Sequence, residues 1–95
     1  MIPKEELDKA IEVAKKYGAG ELYVIGSALY KEAEDANDYD FAVRDLPPGT
    51  FFKFYAELIR VLSKSVDLID LSGGITKFKE IILREGRIVY DRSAA

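Results

Sequence analysis

Apolar residues recur at helical spacing in two stretches of the chain. The first begins after Pro3, which suits the first turn of a helix, and stops at Gly18, a typical helix end. The second follows Thr50, a plausible N-cap, and runs to about Leu62. The apolar positions are Leu7, Ala10, Ile11, Ala14 and Tyr17 in the first stretch, and Phe51, Phe54, Tyr55, Leu58, Ile59 and Leu62 in the second. This spacing predicts two amphipathic helices.

Shorter apolar runs between these stretches are typical of strands. Four consecutive apolar residues in Glu21–Ile25 indicate a strand buried on both faces, which requires helices to cover it. The other predicted elements are one or two helical turns at Ala28–Ala33, a loop at Glu34–Asn37, strands at Tyr39–Val43, Ser65–Leu71 and Arg87–Tyr90, and a short helix at Ile75–Arg84. The order αβ(α)βαβαβ predicts an α/β fold. Strand, helix and strand from Tyr39 to Leu71 favour a parallel crossover, with ligands near a strand terminus.

Length and composition narrow the possible functions. A chain of 95 residues fits one domain, and a formal charge of -3 argues against long nucleic acid as the main partner. The absence of cysteine and histidine excludes disulfides, Cys/His zinc sites and Ser-His-Asp catalysis. No apolar run approaches the roughly 20 residues of a membrane span, and the N-terminus lacks a signal pattern. We therefore expect a cytoplasmic protein without a membrane partner.

Gly26-Ser27 ends the predicted buried strand and precedes the predicted helical turns. Unpaired backbone amides at such a point favour phosphate, glycine allows close approach, and the serine hydroxyl can donate a further hydrogen bond. A plain turn is the more common explanation of a lone Gly-Ser, so this motif needs support from other residues.

Asp38 and Asp40 lie two positions apart on a predicted strand, which places both on one face, with Tyr39, Phe41 and Val43 on the other. Their α-carbons are then roughly 6.6 Å apart, and two unpaired carboxylates at that distance repel by about 2.5 kcal/mol at an effective dielectric of 20. A cation such as Mg²⁺ converts this repulsion into binding. The alternative is that both carboxylates are solvated at a loop edge.

Asp67 interrupts the otherwise apolar strand at Ser65–Leu71. If this strand neighbours the strand at Tyr39–Val43, Asp67 can face the Asp38 and Asp40 pair. Three acids can hold two metal ions that assist phosphoryl or nucleotidyl transfer, with Asp67 accepting the proton of the acceptor. Asp70 points to the opposite face by parity and ranks second, because it can instead cap the loop before Ser72.

Together these elements resemble the minimal nucleotidyltransferase family of the DNA polymerase β superfamily. The resemblance rests on Gly26-Ser27, then Asp38-Tyr39-Asp40 on a strand, then Val66-Asp67-Leu68 on a later strand. It implies a nucleotidyltransferase fold with a small mixed sheet, and it implies that Gly26, Ser27 and Lys31 bind the nucleotide while Asp38, Asp40 and Asp67 bind Mg²⁺. The family commonly has Ala-Arg-Gly after Gly-Ser, where this chain has Leu29-Tyr30-Lys31. Tyr30 therefore occupies the arginine position.

The resemblance also implies an activity, namely transfer of AMP from ATP to an acceptor hydroxyl with release of pyrophosphate and with two Mg²⁺ ions. Family members of this size resemble antitoxins that modify a tyrosine on a HEPN-type toxin. The resemblance therefore implies a helical, HEPN-like protein as the partner. Residues 1–95 are expected to be one catalytic domain without a separate acceptor-binding domain. Two alternatives remain open: a non-catalytic binding module of the same fold, suggested by Tyr30, and a transferase for a small molecule or an RNA end.

Four aromatic residues crowd the start of the second long helix: Phe51, Phe52, Phe54 and Tyr55. Four aromatics in five positions exceed what one helix face can bury, so they could form a homodimer or partner surface. Core packing is the favoured interpretation, and Phe52 is the residue that departs from the apolar stripe.

Overall fold

The computed structural model describes residues 2–26, 38–74 and 76–94. Its elements are α1 (Lys4–Lys16), β1 (Glu21–Ile25), β2 (Asp38–Arg44), α2 (Phe51–Val61), β3 (Ser65–Asp70), α3 (Lys77–Glu85), β4 (Arg87–Asp91) and a 3₁₀ turn at Arg92–Ala94. The predicted order of long helices and strands is confirmed. The helical turns predicted at Ala28–Ala33 and the loop predicted at Glu34–Asn37 lie outside the described residues.

The four described strands form one mixed sheet in the order β3-β2-β1-β4. The parallel pair, β2 and β3, is joined through α2, which confirms the predicted crossover. β1 runs antiparallel to both β2 and β4. β4 is an edge strand, as its sequence indicates, and β3 is the other edge. The fold is therefore α/β with a small mixed sheet, as predicted.

Alternation along the strands divides the core into two layers. On one face, Leu22, Phe41 and Val43 pack with α1 and α2, whose Ala14 and Phe54 are fully buried. On the opposite face, a smaller cluster joins Tyr23, Ala42, Leu71 and Ile82 of α3. Because side chains two positions apart on a strand share a face, Asp40 lies on the same face as Ala42. The acids therefore lie on the face that carries the smaller apolar cluster.

Three details of the second long helix differ from the prediction. Ile59 belongs to the apolar stripe in sequence, yet its side chain is 54% exposed, because it lies at the rim of the face that carries Phe54 and Leu58. Phe54 is buried as the core interpretation requires, whereas Phe52 is 81% exposed. Thr50 precedes the helix, but its side chain caps no amide and its hydroxyl donates to the Pro47 carbonyl oxygen at 2.6 Å.

The predicted helix Ile75–Arg84 is present as α3, shifted two residues at its start. Thr76 is its N-cap, since its hydroxyl oxygen accepts a hydrogen bond from the Lys79 amide at 3.2 Å. Among the described helices, none combines the length and the apolar character that a membrane span requires.

Candidate active site

Asp38, Asp40 and Asp67 meet where the parallel pair of strands begins. The register pairs Asp40 directly with Asp67, so both side chains lie on the same face of the sheet, and Asp38 joins them by alternation. One carboxylate oxygen from each of the three lies within 4.8 Å of the others. Asp38 and Asp40 are half-buried and Asp67 is exposed. The structure thus brings together the three acids that the sequence pattern singles out.

The surroundings of Asp40 oppose the negative charge of its carboxylate. Burial raises its pKa to about 6, from an ordinary value of 3.8, with further contributions from the charges of Asp38 and Asp67 and from a hydrogen bond with Asp67. The ionised form is therefore costly unless a positive charge is nearby. Clustered carboxylate oxygens are the donors that Mg²⁺ and similar hard cations prefer, so the residues present fit a divalent metal.

Gly26 borders this cluster at the carboxyl end of β1. The preceding residue, Ile25, pairs with Asp40 across the antiparallel register. Gly26 has a φ of 71°, a conformation that favours glycine, and a Cβ at this position would overlap Oδ2 of Asp40. Only glycine therefore allows the end of β1 to approach the Asp40 carboxylate this closely.

Asp40 and Asp67 open into a pocket of about 420 Å³. Its other described lining residues are Ile25, Phe41, Tyr55, Leu68 and Ile69. The Tyr55 hydroxyl donates a hydrogen bond to the carbonyl oxygen of Val66 at 2.8 Å, next to Asp67 in the chain. Tyr55 thereby ties α2 to the edge strand that carries Asp67. In the sequence, Tyr55 belongs to the apolar stripe of the helix, and no feature of that pattern indicates that it lines the site.

Asp70 does not join the cluster found among the described residues. Its Oδ1 accepts a hydrogen bond from the Ser72 amide at 2.9 Å, so it caps the loop after β3, as the alternative interpretation expected. Ser27, Tyr30 and Lys31 lie outside the described residues. The nucleotide-binding roles assigned to Ser27 and Lys31 therefore stay predictions.

Comparison with known proteins points in the same direction as the geometry. The family model of polymerase β nucleotidyltransferases matches residues 8–95. Curated proteins yield no significant match to the sequence.

Several solved structures share the fold at low sequence identity. A crystal structure of the MntA–HepT toxin–antitoxin is similar with a TM-score of 0.71 and 18% identity, covering 97% of this chain and 75% of the other. A toxin–antitoxin structure with AMP-PNP has a TM-score of 0.70 and 20% identity, and the match covers 93% of this chain and 75% of the other.

A complex of a tri-AMPylated Shewanella oneidensis HEPN toxin with an MNT antitoxin is also similar. Its TM-score is 0.71 at 21% identity, with 96% of this chain and 74% of the other covered. At such identities these likenesses establish the fold, while the family match spans nearly the whole chain. The protein is therefore a nucleotidyltransferase of the polymerase β family with an MntA-like fold.

Proposed function

We propose that this protein transfers AMP from ATP to a hydroxyl group of a HEPN-type protein partner, in a reaction that depends on Mg²⁺. The observation that carries the proposal is the cluster of Asp38, Asp40 and Asp67, whose carboxylate oxygens lie within 4.8 Å of one another beside Gly26. The family match supports nucleotidyl transfer as the reaction class.

The proposed reaction is an in-line displacement at the α-phosphorus of ATP. The acceptor oxygen forms a bond to that phosphorus while the bond to the oxygen bridging the β-phosphate breaks, and pyrophosphate leaves with the bridging oxygen. Asp67 is exposed on edge strand β3, where an incoming hydroxyl can reach it, so its carboxylate is our candidate for the group that accepts the hydroxyl proton.

Together with Asp67, Asp38 and Asp40 are also proposed to bind Mg²⁺. They are half-buried and fixed in β2, which suits ligands whose position must not change during the reaction. Mg²⁺ held by the carboxylates would neutralise charge that develops on the transferred group and on pyrophosphate. Gly26 leaves the space beside Asp40 free of a side chain, and we propose that the adjoining backbone binds the triphosphate.

The proposed partner follows from the similar structures. Those structures are of toxin–antitoxin pairs, and one of them is a tri-AMPylated HEPN toxin in complex with an MNT antitoxin. We infer by likeness that this chain modifies a tyrosine of such a helical partner.

The test is transfer of label from α-labelled ATP to the product of the neighbouring gene, in the presence of Mg²⁺. We expect transfer with the wild type and loss of at least about a hundredfold in rate for Asp40→Asn and Asp67→Asn, because each change removes a charge from the reaction centre. The matched control is Asp70→Asn, which keeps the Oδ1 acceptor for Ser72 and should retain wild-type rates.

Two results would contradict the proposal. One is the absence of label on the partner, with ATP left intact. The other is transfer that persists unchanged in both Asp40→Asn and Asp67→Asn. ATP binding without transfer, combined with neutralisation of the partner by contact, would favour the non-catalytic module that Tyr30 suggests.

A further inference from the structure

A second pocket lies between α3 and the end of β1, next to the carboxylate cluster. It has a volume of about 280 Å³, and its described lining includes Ile25, Gly26, Phe78, Ile81, Glu85 and Gly86. We propose that this base pocket binds the purine ring of the nucleoside triphosphate, with Phe78 stacked on it. The inference rests on the proposed function, because it assigns the nucleoside end of the same substrate.

The base pocket adjoins the reaction centre through two consecutive residues. Ile25 lines both this pocket and the pocket into which Asp40 and Asp67 open. Gly26, in the wall of the base pocket, also approaches Oδ2 of Asp40. A nucleotide whose phosphates lie at the carboxylates can therefore reach the base pocket with its nucleoside end.

The walls of the base pocket have the chemistry that a nucleobase requires. Phe78 is 60% exposed and Ile81 is 42% exposed, and their spacing of three positions places them on one side of α3. Ile82 beside them is buried and fixes the helix against the sheet. Aromatic rings bind bases by stacking on the π-face, and apolar pockets with few polar groups are typical of small-molecule sites.

Gly86 keeps the floor of the base pocket open. A Cβ at this position would lie 2.7 Å from the carbonyl oxygen of Ile82 and 2.9 Å from Cγ2 of Ile25. A side chain there would therefore force α3 away from β1 or fill the gap between them. Glu85 is the charged residue at the rim, and its carboxylate lies 3.2 Å from Nε of Arg84. The positive charge of Arg84 partly offsets the repulsion between Glu85 and a nucleotide.

The experiment compares two ligands that share phosphates and differ in the base. Isothermal titration calorimetry measures Kd for ATP and for inorganic tripolyphosphate, both with Mg²⁺, on the full chain and on two variants. Phe78→Ala removes the stacking ring. Phe52→Ala is the matched control, because Phe52 is an exposed phenylalanine on another helix, at 81% exposure.

We expect the wild type to bind ATP more tightly than tripolyphosphate. Phe78→Ala should raise the Kd for ATP about tenfold and leave the Kd for tripolyphosphate unchanged, whereas Phe52→Ala should change neither. Unchanged tripolyphosphate binding also establishes that the variant is folded.

Other results separate the two proposals. Equal wild-type affinities for ATP and tripolyphosphate, or a Phe78→Ala variant that binds ATP normally or loses both ligands equally, would overturn the base pocket and leave the proposed function standing. A wild type that binds neither ligand would contradict both. An apolar patch that serves a protein partner instead would give normal ATP binding in Phe78→Ala.

Discussion

Among individual residues, Gly26 and Asp40 constrain each other most closely. The glycine has a positive φ, and the space that a side chain would take is filled by the Asp40 carboxylate. A side chain at position 26 would therefore both strain the backbone and displace a carboxylate of the reaction centre.

Gly26→Ala should damage both stability and activity. Placing alanine at positive φ costs about 1 to 2 kcal/mol, and displacement of the Asp40 carboxylate should reduce AMP transfer more than about tenfold. Gly49→Ala is the matched control, since Gly49 also has a positive φ, of 80°, but a Cβ there meets nothing within 4 Å. Urea unfolding and the transfer assay measure the two effects. Equal activity losses in both variants would contradict a specific role for Gly26.

Asp40→Asn should stabilise the metal-free protein at neutral pH while abolishing transfer. The pKa of Asp40 is raised to about 6 in the folded chain from 3.8, so folding favours the protonated carboxyl. Its stabilising effect is complete below about pH 4 and is lost as the pH rises through about 6. Allowing for solvent around this half-buried group, we expect a difference of about 1 kcal/mol at neutral pH.

The measurement is urea unfolding of the wild type and Asp40→Asn in EDTA, at several pH values between about 4 and 7. Asparagine cannot ionise, so the difference between the two curves reports the ionisation of Asp40 together with its coupling to Asp38 and Asp67. Saturating Mg²⁺ should reduce that difference, because a bound cation stabilises the carboxylate. A difference that does not change with pH would show that the cluster does not disfavour the charge of Asp40.

Among the secondary-structure elements, α2 determines how β3 is presented to the site. The helix returns the chain so that β3 runs parallel to β2, and its Tyr55 contacts the backbone of β3. A buried face with Phe54 and Leu58 holds it against the sheet.

Leu58→Ala should lower the free energy of unfolding by about 2 to 5 kcal/mol, because it leaves a cavity at a fully buried position. Ile59→Ala should change it by no more than about 0.5 kcal/mol, since that side chain is 54% exposed. Urea unfolding compares the two. Similar losses of unfolding free energy in the two variants would contradict the observed packing, because they would mean that Ile59 is as buried as Leu58.

The pattern of α2 illustrates what periodicity can and cannot predict. Spacing of apolar residues identifies the helix and its core positions Phe54 and Leu58, because those lie at the centre of the stripe. It cannot identify Ile59 as exposed, since residues at the edge of a stripe are buried only if a neighbouring element extends over them. The sequence likewise indicates the helix α3. Its apolar pattern does not show that Phe78 and Ile81 line a pocket, since that depends on the neighbouring strand.

Across the whole molecule, the mixed sheet is what assembles the candidate site. β1 runs antiparallel to β2, so the carboxyl end of β1 with Gly26 meets the amino end of β2 with Asp38 and Asp40. The parallel partner β3 then places Asp67 beside Asp40. Parity and the crossover connection make the Asp67 alignment predictable from sequence. The antiparallel pairing of β1 with β2 and with β4 is not predictable in this way. The local pattern of apolar residues does not indicate which strands become neighbours in the sheet.

The central claim is that acids from two strands form one site for metal and nucleotide. Its most direct test measures Mn²⁺ binding in the presence of ATP by electron paramagnetic resonance. We expect Asp67→Asn to weaken Mn²⁺ binding about tenfold or more, as loss of a ligand does, while Asp70→Asn, three positions along the same strand, binds like the wild type. Wild-type Mn²⁺ binding in Asp67→Asn, or an equal loss in both variants, would contradict the claim.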